Sequence, residues 1–160
     1  MKILITGTRG FLGGRIASFL NKKSGFNLVS LSRNKKFDLK KKDSKTKKNL
    51  KKLFKGVDVV INCIGYDMNK SINKSETNFV NSSIPSLIYN ISNKAGVKYF
   101  FYISTYHIYD FTKKINENSN IIPKNLYTRS KILGEKKVLK NIKKTKLVIL
   151  RLCNLFGYPV

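Results

Sequence analysis

Apolar residues recur along the chain in two rhythms. Short continuous runs occupy residues 2–6, 26–32, 57–65, 97–104 and 146–153, each bounded by polar or Gly-containing stretches. Runs of that length without alternation are the signature of strands buried on both faces. Residues 36–39 read as a further, very short strand. Between these runs the spacing becomes helical. Over 11–22 the apolar positions are Phe11, Leu12, Ile16, Phe19 and Leu20; over 45–55, Leu50, Leu53 and Phe54 form a stripe on a Lys-rich helix. A third helix is expected over 77–95, kinked or broken at Pro85 and stopped at Ala95-Gly96. A fourth follows over 127–143, after a polar loop at 110–126. Strands alternating with helices predict an α/β fold, a doubly wound parallel sheet with helices on both faces. No segment repeats, and residues 1–160 read as one domain.

Charge changes this picture little. The 33 Lys and Arg against 8 Asp and Glu give a formal net charge of +25. Such a balance points to a polyanionic partner when it is concentrated. Here 11 of the 21 residues from 35 to 55 are Lys in one polar connection, and the others recur at loop and helix-surface positions. The charge is therefore read as solvated surface, with no nucleic-acid partner. Cys63 and Cys153 sit inside apolar runs without metal-type spacing, and there is a single His, so no metal site is expected. Both thiols are expected buried and inert, in a reducing compartment. No run approaches the roughly 20 apolar residues that span a bilayer, and the N-terminal run is too short for a signal peptide. The expectation is a cytoplasmic protein with no membrane partner.

Chemistry enters at the end of the first predicted strand, with Thr6-Gly7-Thr8-Arg9-Gly10-Phe11-Leu12-Gly13-Gly14. A Gly-rich turn between strand and helix lets backbone approach a pyrophosphate, which the helix N-terminus then binds through free N–H groups. Gly7 and Gly10 serve the turn and the close approach. Gly13 lets helix pack on strand, and Arg9, Phe11 and Leu12 complete the cofactor-binding turn. The spacing is Gly-x-x-Gly-x-x-Gly rather than Gly-x-Gly-x-x-Gly. At the end of the second strand, Ser32 stands where an acidic residue would bind a ribose 2′-hydroxyl, and Arg33 follows. That pair favours NADP over NAD.

Tyr127 and Lys131 form a Tyr-x-x-x-Lys motif at the start of the last predicted helix, on one face. Tyr has an ordinary pKa of about 10 and is a poor base at neutral pH; a neighbouring ammonium should lower it. Tyr127 then exchanges a proton with a substrate oxygen while hydride moves to or from a nicotinamide, and Lys131 holds the nicotinamide ribose. Thr105, in preference to Ser104, closes the strand before it and is placed to hydrogen-bond the reacting oxygen.

Taken in order, these motifs resemble the extended short-chain dehydrogenase/reductases, the NAD-dependent epimerase/dehydratase family, over residues 3–157. Asp38-Leu39 is similar to the family's adenine-contacting pair, and Asp58 through Gly65 to its fourth strand. Asn78 stands where the family has an Asn opening the next helix. Ala95-Gly96 through Thr105 resembles its fifth strand, and Glu117 and Pro123 its following loop. Gly134-Glu135 follows Lys131 as in many members. Arg151 through Gly157 is similar to the sixth-strand motif, in which Asn154 would lie near the sugar nucleotide. The resemblance implies a Rossmann-type fold and an NAD(P)-dependent epimerase or reductase of polysaccharide synthesis. It also implies a nucleotide-sugar substrate held by Thr105, Tyr127 and Asn154. Two departures bear on the reaction. Tyr106 and His107 replace the acidic pair of the sugar-nucleotide dehydratases, which argues against dehydration, with a structural role for His107 preferred to one as catalytic acid; and Asp110 replaces a usual Gly. Members of the family also continue past the position of Val160 into a substrate domain. The chain is therefore expected to be the cofactor half, with an open last strand, cofactor binding without strong sugar-nucleotide binding, and self-association as a homodimer. A non-catalytic nucleotide-binding remnant is the rival reading, and a basic nucleic-acid module ranks below it.

Overall fold

The computed structural model describes residues 1–32, 44–110 and 114–157. Five strands, β1 (Lys2–Thr6), β2 (Asn27–Leu31), β3 (Val59–Asn62), β4 (Tyr99–Thr105) and β5 (Lys146–Leu152), form one parallel sheet in the order β2-β1-β3-β4-β5. The helices are α1 (Phe11–Asn21), α2 (Ser44–Leu53), α3 (Lys74–Asn78), α4 (Ile84–Ala95) and α5 (Leu126–Leu139). The short strand expected at 36–39 lies outside the described residues.

Side chains alternate across the pleat and divide the core in two. Leu4, Val60, Phe100 and Tyr102 face one way, against Leu50 and Phe54 of the α2 region, Ile88 of α4 and Val138 of α5. Ile3, Ile5 and Val59 face the other way, against Ile16, Ala17 and Leu20 of α1. Cover on the second face thins toward β5: no residue of that strand is buried, and Phe156 beyond it is 92% exposed. Cys153 is exposed rather than buried as expected, because it leaves an edge strand with a neighbour on one side only.

The expected break at Pro85 takes a particular form. Residues 74–95 are helical throughout, but Phe79–Ser83 widen into a π-helical turn and α4 restarts with Pro85 in its first turn. Pro85 has no N–H for the carbonyl of Asn81, four residues back. The Tyr102 hydroxyl donates to that carbonyl instead, at 2.8 Å. Asn73, not Asn78, caps the run, accepting from the Glu76 N–H at 2.9 Å; Asn78 ends α3. Gly96, at φ 74°, closes α4 in the left-handed region.

Candidate functional site

The strand order reverses between β1 and β3, the position at which a doubly wound sheet opens a crevice. The Gly turn stands there. Thr6 Oγ1 donates to Asn62 Oδ1 at 3.0 Å and accepts from the Cys63 N–H at 3.1 Å, tying the ends of β1 and β3 together. Gly7 follows at φ 71°, and a Cβ on it would lie 2.9 Å from the Cys63 carbonyl. A Cβ on Gly13 would lie 2.4 Å from the Gly7 oxygen. Both positions exclude any side chain. Gly10 caps α1 without a side-chain hydrogen bond, so the N–H groups of Phe11, Leu12 and Gly13 have no acceptor within the helix. A backbone-lined hollow with three free donors at a helix N-terminus fits a dinucleotide pyrophosphate. Arg9 is exposed at the turn, and Ser32 is half-buried next to Leu31, whose carbonyl accepts from the Gly7 N–H at 3.0 Å. Arg33, Asp38 and Leu39 lie outside the described residues.

Across the crevice, a capping box fixes the start of α5: Asn125 Oδ1 accepts from the Thr128 N–H at 2.9 Å, and the Asn125 N–H donates to Thr128 Oγ1 at 3.2 Å. Tyr127 therefore sits in the first turn and Lys131 one turn on. The Tyr127 phenol stands beside Thr105, whose Oγ1 accepts from the His107 N–H at 3.3 Å. Ser104, on the other side of the pleat, is occupied by Glu135. Lys131 is 6% exposed; its Nζ donates to the Ile103 carbonyl at 3.1 Å and lies 5.9 Å from the centre of the Tyr127 ring. A Cβ on Gly65 would come within 2.9 Å of that Nζ, so the loop after β3 passes close against the end of the Lys131 side chain. The loop thus links the Gly turn, which rests on Cys63, to Lys131.

The electrostatics depart from the expectation that Lys131 lowers Tyr127. Burial pushes the Tyr127 phenol up, with the neighbouring Thr105 hydroxyl opposing it. Burial also pulls Lys131 down to about 8, and pushes the Cys63 thiol beside it up to about 11. A dry crevice floor disfavours every charged form, including the ammonium meant to help.

Two supporting residues, Asn81 and Tyr102, were not singled out in the sequence, and a third, Glu135, was noted there without a role. Asn81 is fully buried; its Oδ1 accepts from the Tyr66 N–H at 2.7 Å and its Nδ2 donates to Ser130 Oγ at 2.9 Å, clamping the loop after β3 to α5. Tyr102 and Asn81 also set the approach of α5: a Cβ on Gly134 would lie 2.2 Å from the Tyr102 hydroxyl and 2.4 Å from the Asn81 carbonyl. Glu135, one turn after Lys131, is buried between Ser104 of β4 and Arg151 of β5, whose guanidinium reaches it at 2.7 Å. Its spacing of four from Lys131 was the available signal. Asn154 is exposed, with Oδ1 2.9 Å from His107 Nε2, and makes no contact with the Tyr127 cluster.

The model of the NAD-dependent epimerase/dehydratase family matches residues 3–159. No curated protein matches the chain significantly. Among solved structures, a UDP-glucuronic acid 4-epimerase from Bacillus cereus in complex with NAD aligns with a TM-score of 0.80 at 22% identity, covering 98% of this chain and 57% of that one. A short-chain dehydrogenase/reductase superfamily protein from Agrobacterium tumefaciens with bound NAD aligns with a TM-score of 0.78 at 21% identity, covering 94% and 48%. A dTDP-4-dehydrorhamnose reductase from Bacillus anthracis in complex with NADP aligns with a TM-score of 0.76 at 23% identity, covering 92% and 52%. The chain spans about half the length of these structures, and the likeness is one of fold. With the family model matched over nearly its whole length, the chain belongs to the NAD-dependent epimerase/dehydratase family.

Proposed function

We propose that the chain provides the cofactor site and proton-transfer group of an epimerase or reductase acting on a nucleotide-activated sugar, with NADP preferred to NAD. The observation that carries this reading is the buried Lys131, whose Nζ is held on the Ile103 carbonyl at 3.1 Å and stands 5.9 Å from the centre of the Tyr127 ring at the C-terminal edge of β4, across the crevice from the Gly turn. The turn from Gly7 to Gly13 holds the pyrophosphate on backbone donors, with Ser32 and Arg33 at the adenosine ribose and Asp38-Leu39 at the adenine. A nicotinamide dinucleotide bound there supplies the hydride chemistry. Tyr127, kept protonated by burial, donates its proton to a sugar carbonyl oxygen or, in the reverse direction, takes one back from the hydroxyl. Thr105 Oγ1, which accepts from the His107 N–H, donates its own proton in a hydrogen bond to the same oxygen. Lys131 gains a nearby negative charge when Tyr127 gives up its proton, which favours its ammonium form at that moment. Asn154 is assigned to the sugar-nucleotide side.

Tyr127→Phe tests the role. Only the hydroxyl is lost, so NADPH binding should persist while sugar-nucleotide turnover falls by about a hundredfold or more; unchanged turnover would remove Tyr127 from the mechanism. Titration calorimetry with NADPH and NADH tests the cofactor. NADPH should bind more tightly, and Arg33→Ala should weaken NADPH alone; equal affinities would defeat the assignment. The exposed position of Asn154, bonded to His107, favours a second reading, cofactor binding without turnover. Tight NADPH binding with no turnover of any nucleotide sugar would select it.

A further inference from the structure

In a parallel sheet joined by helices, every strand begins and every helix ends at one edge, opposite the crevice. Here the turns at that edge are hydrogen-bonded one to the next. The Met1 ammonium donates to the Gly25 carbonyl at 2.9 Å, and Lys2 Nζ to the Lys55 carbonyl at 2.7 Å. The Lys98 N–H donates to the Asp58 carbonyl at 2.8 Å, and the Lys146 N–H to the Lys98 carbonyl at 2.9 Å. Asn93 Nδ2 donates to the Asn141 carbonyl at 3.2 Å. The edge is therefore one continuous surface.

Its charge is of one sign. Lys22 and Lys23 are exposed after α1, Lys55 after α2, and Lys94 and Lys98 around the end of α4. Lys140, Lys143, Lys144 and Lys146 are exposed between α5 and β5. Among the described residues at these turns, the sole carboxylate is Asp58, already bound by Lys98 at 2.9 Å. Asp67, Glu76, Asp110 and Glu117 belong to segments at the crevice end. Lysines at helix C-termini complement the helix dipole, so charge alone would mean little. The second observation is what lies between them. Met1, Phe19, Phe26, Tyr99, Leu139 and Ile142 are large apolar side chains left in water at the same edge, Phe19 by 62% and Ile142 by 56%. Lys23 Nζ stands 5.4 Å from the Phe19 ring centre and Lys146 Nζ 5.6 Å from that of Tyr99, so cation and apolar body are adjacent.

We propose that this edge docks on the surface of an anionic lipid bilayer, lysines on the headgroup phosphates and the six apolar side chains at the acyl boundary, with the crevice facing solution. Interfacial binding uses this pairing of Lys with shallow apolar residues. A nucleic acid fits less well. Met1, Leu139 and Ile142 have no ring to stack on a base. The side-chain cations are all lysines, whereas Arg is the residue suited to planar, bidentate phosphate and base recognition. No membrane-crossing helix is required, and none of the described helices is long and apolar enough to be one.

The test is co-sedimentation of the chain with vesicles of phosphatidylcholine alone and of phosphatidylcholine mixed with phosphatidylglycerol. Binding to the mixed vesicles only, weakened by salt, is expected. Lys143→Gln with Lys144→Gln should lower partitioning by about tenfold or more, and Ile142→Ser should lower it with the salt dependence unchanged. Lys70→Gln with Lys74→Gln, at the crevice end, should leave it unaltered. The proposal is overturned by no binding to mixed vesicles, or by equal losses from the two lysine pairs, which would mean net charge alone. It is also overturned if a single-stranded oligonucleotide binds more tightly than the vesicles and insensitively to Ile142→Ser. Thermal melts of each variant separate loss of binding from loss of fold.

Discussion

Among single residues, the crevice floor is governed by dehydration. Lys131 carries the clearest consequence for stability. Its folded pKa of about 8 lies below the ordinary 10.5, so above pH 8 the folded chain gives up a proton that the unfolded chain keeps. Stability should rise with pH in that window, by up to about 1 kcal/mol per pH unit. The rise should fade above pH 9.0, where the unfolded Cys63 thiol begins to ionise while the folded one, at about 11, does not, and that difference acts in the opposite direction. Urea melts across pH 7.5 to 9 check this: Lys131→Met should flatten the slope, and an unchanged slope in that variant would mean another group is responsible. Tyr127, Lys131 and Thr105 were legible as types at fixed spacing. Their electrostatics were not, because sequence spacing brings an ammonium near a phenol but does not report how much water remains around either. Asn81 was illegible for a related reason. Its partners, Tyr66 and Ser130, lie far from it in sequence, and a lone Asn in a helix carries no sign of them.

Among elements, α5 depends on two neighbours for its position. Gly134 meets the Tyr102 hydroxyl and the Asn81 carbonyl so closely that a methyl group there must displace one of them. Gly134→Ala should therefore destabilise the fold by about 2–3 kcal/mol, although alanine is ordinarily the better helix residue; a stabilising effect in a denaturant melt would contradict the packing described. Asn125→Ala removes half the capping box and should cost about 1 kcal/mol. The Pro85 break yields a sharper expectation. Tyr102→Phe leaves the Asn81 carbonyl unpaired in the native background and should cost about 1–3 kcal/mol. In a Pro85→Ala background, a helical N–H becomes available to the same carbonyl, and the cost should shrink. A double-mutant cycle without coupling would show that the two positions act independently. The sequence made the break at Pro85 legible, as it did the stop at Gly96 and the burial of β1 and β3. Boundaries shifted where local signals were weak: the last helix ends at Leu139 rather than 143, since the Lys-rich stretch beyond has few apolar positions to hold it.

For the whole molecule, the parallel sense of the sheet followed from alternation, and an open last strand was expected from the resemblance, against the pattern of the strand itself. Continuous apolar runs announce burial on both sides, and β5 carries such a run while none of its residues is buried. An edge of that kind pairs with other chains. Light scattering should show mass increasing with concentration, reduced by Leu150→Lys; a strict monomer at all concentrations would refute this. The strand order also dictates a schedule for synthesis. Thr6 pairs with Leu31 on one side but with Asn62 on the other, so β1 leaves the ribosome long before its second neighbour exists. Its buried side chains, and the Thr6 hydroxyl that must find Asn62, wait exposed through that interval. Parallel pairings close only across long loops and form slowly. The nascent chain is therefore most vulnerable to aggregation and proteolysis before β3 appears, and dependence on a holding chaperone should end when it does.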